Sequence, residues 1–219
     1  MTRASYIEEL KALEKSLEEM GATVESAIDI LQTAVKNHDT NLDEEIIRGD
    51  RVINDMERNI ESRCLSLITR QQPIAGDLRM ISAALKVVTD IERIGDQTSD
   101  IAELLVRQKD TDIGEYSTHI VGMLQSAKEM VHNAVDAFVK RDSEAARSVI
   151  ASDDVVDGLF TKVRDDIIAL LKAGTHDIDS CIDVMMIAKY LERIGDHAVN
   201  IAEWEIFQES GSIKDIRLI

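Results

Sequence analysis

Hydrophobic residues recur every three or four positions along most of this chain, which is the spacing of one face of an α-helix. Short polar segments interrupt the pattern five times. The periodic runs cover approximately residues 10–35, 42–68, 78–108, 115–140, 144–172 and 178–208. The pattern therefore predicts six helices and an all-α fold.

The segments between the runs contain the residues expected at helix ends. Asp39 or Asn41 is placed to cap the second helix, and Asp77 is placed to cap the third. The segment 70–79 contains the only proline, and residues 109–115 form a polar break near the middle. The last eleven residues are predicted to be a short tail.

The third and sixth predicted helices carry the same motif. Residues 91–103 read IERIGDQTSDIAE and residues 191–203 read LERIGDHAVNIAE, so eight of thirteen positions are identical at a spacing of 100 residues. A repeat this long exceeds the unit of a solenoid, which is 20 to 50 residues. The repeat predicts a duplicated unit, with one three-helix bundle in residues 1–110 and a second in residues 111–219.

Composition narrows the class of protein. The chain has 42 acidic and 25 basic residues, a net charge of −17, which repels nucleic-acid backbones and anionic lipid and favours cations or basic partner surfaces. Two isolated cysteines, no apolar run of signal-peptide length and no stretch long enough to span a bilayer predict a cytoplasmic protein with reduced thiols.

The repeated motif places carboxylates one helical turn apart, where side chains face the same way. The two pairs are Glu92 with Asp96 and Glu192 with Asp196. They border an apolar arc, and a carboxylate at the edge of a core needs a partner because burying an isolated charge is costly. Gly95 and Gly195 interrupt good helix at a cost of about 1 kcal/mol each. Their repetition predicts the close approach of a neighbouring backbone or ligand.

The preceding helices carry matching groups. Asp153 and Asp157 are also four residues apart, and they correspond to Asp50 and Asn54 at an offset of 103. If the second and third helices of each bundle pack side by side, these rows face each other. Oxygen-only ligand sets suit hard cations such as Mg²⁺, Mn²⁺, Ca²⁺ or ferric iron. A solvated acidic face remains the alternative interpretation.

The motifs at 191–203 and 71–79 (QQPIAGDLR), together with the duplicated layout, resemble the PhoU family over essentially the whole chain. The resemblance implies two tandem three-helix bundles related by pseudo-two-fold symmetry. It also implies a cytoplasmic regulator of phosphate uptake and of the phosphate-starvation response. Such a regulator acts as an adaptor between a phosphate ABC transporter, through its ATPase, and a sensor histidine kinase. Many members are homodimers.

The resemblance further implies metal binding, by iron, zinc, magnesium or manganese, through E(D)xxxD motifs. The matching positions are Glu92, Asp96, Glu192, Asp196, Asp153 and Asp157. Asn54 departs from the motif that begins at Asp50, and Asp100 becomes Asn200 in the second copy. Because these changes alter the ligand charge, unequal occupancy of the two bundles is expected.

Two other functions remain open at the level of sequence, a carboxylate-bridged metalloenzyme and a purely structural helical scaffold. Ferritin-like di-iron sites need a Glu-x-x-His pair on each of two helices, and this chain has a single such pair, Glu129 with His132, which disfavours the enzyme. No glycine-rich phosphate-binding loop is present either. His197 has no partner that the sequence identifies, and it is predicted to be an ordinary surface or capping histidine.

Overall fold

The residues that the structure describes form six long helices followed by a small β-hairpin. The computed structural model describes residues 3–37, 43–71, 73–107, 117–174, 177–213 and 216–217. The elements are α1 Arg3–Asn37, α2 Asp43–Gln71, α3 Ala75–Arg107, α4 Ser117–Lys140, α5 Ser143–Ala173, α6 Ile178–Ser210, β1 Ser212–Ile213 and β2 Ile216–Arg217. The all-α prediction is confirmed. The hairpin, an antiparallel pair, occupies the segment predicted to be a tail.

The helix ends of the second half are capped by side chains and by glycine. Asp142 accepts hydrogen bonds from the backbone N–H groups of Glu144, at 3.1 Å, and Ala145, at 3.0 Å, and so starts α5 directly after α4. Gly174 and Gly211 adopt the left-handed conformation, with φ of 66° and 76°, and end α5 and α6. The Asp142 cap produces the tight α4–α5 turn that the sequence predicts.

The predicted start of the third helix is wrong by three residues. Helix α3 begins at Ala75, since the backbone N–H of Leu78 already donates to the carbonyl of Ile74 at 3.1 Å. Asp77 therefore lies in the first turn, where its charge interacts favourably with the helix dipole. The caps predicted at Asp39 and Asn41, and the junction between the halves near residue 110, lie outside the described residues.

The apolar stripes of the helices meet in one continuous core. In the first half, α1 and α2 pack against α3, and in the second half α4 and α5 pack against α6. The halves are joined because α3 packs along α6 and α1 along α4. Fully buried residues such as Leu17, Ile91, Leu124 and Leu191 come from both halves. None of the described helices combines the length and continuous hydrophobicity needed to traverse a lipid bilayer.

Polar contacts between α3 and α6 display the pseudo-two-fold relation. The side chain of Asn200 donates to Asp90 at 3.2 Å, and the hydroxyl of Tyr190 donates to Asp100. Position 90 corresponds to 190 and position 100 to 200, so exchanging the halves converts one contact into the other. The same pairs show that the two helices run antiparallel. The predicted tandem arrangement with pseudo-two-fold symmetry is confirmed.

Candidate functional site

The acidic row of the first half lies where α2 packs against α3. The side chain of Asn54 donates to Asp50 at 3.1 Å, and both residues are partly buried. Burial raises the pKa of Asp50, and the charges of Asp96 and Asp100 on α3 raise it further. Asp50 therefore lies close enough to the α3 carboxylates for their charges to oppose its ionisation. The structure brings the two predicted rows together.

Glu92 is the most deeply placed carboxylate of this row. Its side chain is 13% exposed, and its Oε2 atom is buried without a hydrogen-bond donor among the described residues. The guanidinium of Arg93 lies 3.5 Å from that oxygen and 3.0 Å from Asp96, so one cation serves both carboxylates. Burial raises the pKa of Glu92, followed by the charge of Asp96, while Arg93 lowers it.

The second half repeats this arrangement between α5 and α6 with a different cation. Burial raises the pKa of Asp153 to about 6, and the charges of Asp157, Asp196 and Glu192 add to the increase. The Oδ1 atom of Asp153 is buried and has no hydrogen-bond donor among the described residues. The ammonium group of Lys189 contacts Glu192 at the edge of the row. The predicted acids of this half therefore form one electrostatic cluster.

The two motif glycines make room for the helix that carries the opposing row. A Cβ atom at Gly95 would lie 2.9 Å from the Cδ1 atom of Ile53, and one at Gly195 would lie 3.2 Å from the Oδ1 atom of Asp153. Both distances are shorter than ordinary contacts, so a close approach does occur, but the approaching atoms belong to side chains of the neighbouring helix and not to the backbone or ligand that the repeat predicts. In the second half, the glycine seats the Asp153 carboxylate directly.

Asp100 is largely exposed but partly covered by neighbouring groups. It interacts with carboxylates of its own helix and also with residues of α6, across the interface between the halves. Burial raises its pKa, as do the charges of Glu103 and Asp96, while the hydrogen bond from Tyr190 and the charge of Arg193 lower it. Its counterpart in the second half, Asn200, is turned toward the first half, where it donates to Asp90. The two acidic rows thus differ in charge, as the sequence predicts.

The oxygen atoms of these rows are the kind of ligand that a hard cation prefers. All contributing groups are carboxylate or amide oxygens, and each half leaves one buried carboxylate oxygen without a donor. In the part of the chain that the structure describes, however, no group of three or more histidine, cysteine, aspartate or glutamate residues is arranged as a ready ligand set. Binding an ion would require the carboxylates to turn toward a common centre. Their role as metal ligands stays a prediction.

His197 has a partner that the sequence does not reveal. Its Nδ1 atom lies 2.8 Å from Asp90 of α3, and the side chains are only 17% and 14% exposed. The prediction of a surface or capping histidine is therefore wrong. The two residues are 107 positions apart, and only the packing of α6 on α3 brings them together. Their contact lies beside the acidic row of the first half, since the charge of His197 lowers the pKa of Glu92.

Glu205 is a second residue that the sequence analysis did not identify. It is fully buried near the end of α6, where it accepts hydrogen bonds from Gln208 at 2.6 Å and from Ser143 at 3.4 Å. Burial raises its pKa to about 7, against the lowering effect of these two hydrogen bonds. The sequence could have indicated this burial, because Glu205 is four residues after Ile201 and eleven after Ile194 and therefore lies on the apolar face of the helix.

Comparisons with known proteins point to one family. The family model described as the PhoU domain matches residues 17–105 and 120–204, one match in each half. The chain is 34% identical over 217 residues to a protein of Clostridium acetobutylicum named phosphate-specific transport system accessory protein PhoU homolog, with 99% of each chain covered. A protein of the same name from Pseudomonas aeruginosa is 33% identical over 214 residues, covering 96% of this chain and 87% of the relative.

Two crystal structures show the same architecture. PhoU from Pseudomonas aeruginosa superimposes with a TM-score of 0.90 at 31% identity, covering 94% of this chain and all of that one. The phosphate transport system regulatory protein PhoU from Streptococcus pneumoniae gives a TM-score of 0.89 at 26% identity, covering 96% of this chain and all of that one. The six-helix arrangement is therefore shared along nearly the entire length of all three proteins.

Proposed function

Since the chain belongs to the PhoU family, we propose that it is a regulatory accessory protein of phosphate transport. Relatives that match it over nearly their whole length are named phosphate-specific transport system accessory proteins, and the Streptococcus pneumoniae structure compared above is titled a phosphate transport system regulatory protein. The likeness extends through both halves, so the proposal does not rest on a single shared domain.

The finer proposal is that the chain acts in the cytoplasm as an adaptor between a phosphate ABC transporter and a sensor histidine kinase. The family resemblance supports this role, and the net charge of −17 suits contact with basic partner surfaces. Long, well-packed helices with a continuous core provide a rigid body on which two such contacts can be held at a constant distance.

The main support for a bound cation is the environment of the Asp153 carboxylate. Its carboxylate lies beneath Gly195 with one oxygen lacking a donor, and its pKa of about 6 reflects burial among three further carboxylates. A cation held there would stabilise the ionised form, with Glu192 and Asp196 as neighbouring ligands. Bound metal would also reverse the local charge and so alter any partner contact made through this surface.

Metal content measured by mass spectrometry tests the cation site. Wild type and Glu192→Gln/Asp196→Asn are compared after equilibration with Mg²⁺, Mn²⁺, Fe³⁺ or Zn²⁺. Glu8→Gln/Glu18→Gln, which removes two exposed carboxylates of α1, serves as the matched control. We expect the site variant to lose at least half of the bound metal and the control to keep it. Equal metal content in all three proteins would contradict the site assignment.

Binding of purified partners tests the adaptor role. The transporter ATPase and the cytoplasmic portion of the sensor kinase, both from the same organism as the chain, are immobilised separately, and binding is measured with and without chelator. We expect both to bind the wild-type chain, and chelator to weaken at least one of them. Binding that is insensitive to chelator would count against a cation-dependent switch while leaving the adaptor role in place, and no binding to either partner would contradict the adaptor role.

A further inference from the structure

Five large apolar side chains are exposed together at one end of the α5–α6 hairpin. They are between 38% and 62% exposed, which is unusual for a cluster of residues of this size. We name this surface the hairpin-end groove, and its members are Ile168, Leu171, Ile178, Ile182 and Met186.

Contacts farther along the hairpin place three of these residues on facing stripes of α5 and α6. The ammonium of Lys189 lies 5.6 Å from the ring centroid of Phe160, which bridges α5 and α6. Leu171 follows Phe160 by eleven residues, close to three whole turns, and so lies on the same stripe of α5. Ile182 and Ile178 precede Lys189 by seven and eleven residues, close to two and three whole turns, and lie on the same stripe of α6.

The antiparallel register brings the two stripes level. Between Gly195 and Lys189 on α6 the contact partner moves from Asp153 to Phe160 on α5, so the helices advance past each other at about one residue per residue. Continued at this pace, Ile182 comes level with Ile168. Four residues further along α6, Ile178 comes level with position 172, next to Leu171.

The groove is bordered by negative charge. The aspartates that precede or share its helical segments are Asp165, Asp177, Asp179 and Asp183, whereas Asp166 faces α4, where His119 lies 3.5 Å away. The bases closest along the two helices are already paired in two cases, Arg164 with Asp165 at 3.0 Å and Lys189 with Glu192, and the third is Lys172. An apolar groove with an acidic border is complementary to an amphipathic helix that presents apolar residues flanked by lysine or arginine. A second copy of this chain would bring the same aspartates face to face, which is unfavourable.

The first half has only part of this combination, although its backbone is equivalent. Ile182 and Met186 correspond to Ser82 and Lys86, and Asp179 corresponds to Arg79, whereas Ile168 corresponds to Leu65, which is also exposed. Two of the five apolar residues and the acidic residue at 179 are therefore specific to the second half, and the duplicated fold does not require them.

We propose that the hairpin-end groove is a docking site for a basic amphipathic helix of a partner protein. This inference rests on the proposed adaptor function and assigns one of its contacts to a defined surface. The helix would lie along the α5–α6 groove, its apolar residues covering the exposed isoleucines and its basic residues facing the aspartates. Burial of the apolar surface would supply affinity, and the charges would supply orientation.

Two labelled helical peptides probe the groove by fluorescence anisotropy. They share the same leucine positions, but one carries lysines on its polar face and the other carries glutamates. We expect the wild-type chain to prefer the lysine peptide by about tenfold or more and to lose that preference at high salt. We expect Ile178→Ser/Ile182→Ser to weaken binding of the lysine peptide about tenfold or more, because both side chains lie in the proposed contact.

The matched control is Val52→Ser/Leu65→Ser, which changes two comparably exposed apolar residues of the first half. We expect it to change binding by less than about twofold. Asp179→Asn/Asp183→Asn tests the border without altering the apolar groove, and we expect it to reduce the preference for the lysine peptide. Equal binding of both peptides to wild type, or of the lysine peptide to all variants, would overturn the proposal.

Two further measurements separate this inference from the adaptor function. If sedimentation shows that wild type is a dimer and Ile178→Ser/Ile182→Ser is a monomer, a second copy covers the groove and the proposal is wrong. If the purified ATPase or kinase portion binds wild type and the same variant equally well, the adaptor function stands and the groove assignment fails. Failure of both proteins to bind wild type would instead refute the adaptor function.

Discussion

Replacing Glu205 with glutamine should make the protein more stable at neutral and alkaline pH. The carboxyl group is fully buried, and its pKa of about 7 in the folded protein compares with 4.5 for an ordinary glutamate. Glutamine has nearly the same shape, and its carbonyl oxygen can accept the hydrogen bond that Gln208 now donates at 2.6 Å. The substitution therefore removes the ionisable group while keeping most of the packing.

The direction of the pH effect on stability depends on whether the folded or the unfolded chain binds the Glu205 proton more tightly. Below pH 4.5 the carboxyl group is protonated in both the folded and the unfolded chain, so burial of Glu205 carries no ionisation penalty. Between pH 4.5 and about 7 the unfolded chain ionises while the folded chain keeps the proton, and the free energy of unfolding falls as pH rises. Above that window the penalty is complete. A shift of roughly 2.5 pH units corresponds to about 3 kcal/mol.

Urea unfolding followed by circular dichroism at pH 4.5, 6 and 8 measures this effect. The quantity of interest is the unfolding free energy of Glu205→Gln minus that of wild type, because other titrating groups cancel in the difference. We expect this difference to increase by about 2–3 kcal/mol between pH 4.5 and pH 8. The exposed substitution Glu8→Gln reports the background effect of removing one negative charge. A difference that stays constant with pH would refute the assignment of Glu205 as a buried acid.

Other contacts give further expected outcomes, each measurable by urea unfolding. Gly95→Ala should destabilise the protein by about 1–2 kcal/mol, because overpacking against α2 outweighs the gain in helix propensity. Gly158 has open space around it, so Gly158→Ala should stabilise the protein by up to about 1 kcal/mol. The opposite order of the two variants would contradict the packing argument. A double-mutant cycle of Asp90→Asn and His197→Ala should give a coupling energy of about 1 kcal/mol, whereas strict additivity would mean that the contact between the halves contributes nothing. Asp153→Asn should become more stable relative to wild type as pH rises from 3.8 to about 6, by about 1 kcal/mol after solvent screening, and a change of the opposite sign would exclude the buried carboxylate.

Helical periodicity and the internal repeat were sufficient to predict the architecture. The apolar residues of α6 follow the helical period from Cys181 to Phe207, and a pattern of that length has no competing interpretation. The motif at 91–103 and 191–203 then identified two equivalent helices. Boundaries were less certain, as the start of α3 at Ala75 shows, because a helix can extend into a preceding turn when its backbone hydrogen bonds are satisfied there.

The acidic rows were also predictable, since the position of a carboxylate on a helix face depends only on local spacing. Glu92 and Glu192 interrupt the edge of an apolar stripe, and the repetition of this interruption marked both as unusual. Their ionisation, however, depends on burial and on charges carried by another helix. Burial is the largest cause of the raised pKa of Asp153, followed by Asp157 on its own helix, and the charges of Asp196 and Glu192 on α6 come from about 40 residues further along the chain.

Periodicity along the chain alone thus determined which segments are helical, where the duplication lies and which faces carry carboxylates. Only the tertiary structure decided which faces meet. The pairing of His197 with Asp90, and the exposure of Ile178 and Ile182 at the hairpin-end groove, have no local signature. The physical reason is that helix formation depends on residues within one or two turns, whereas burial and electrostatic pairing depend on neighbours that the fold brings from distant positions.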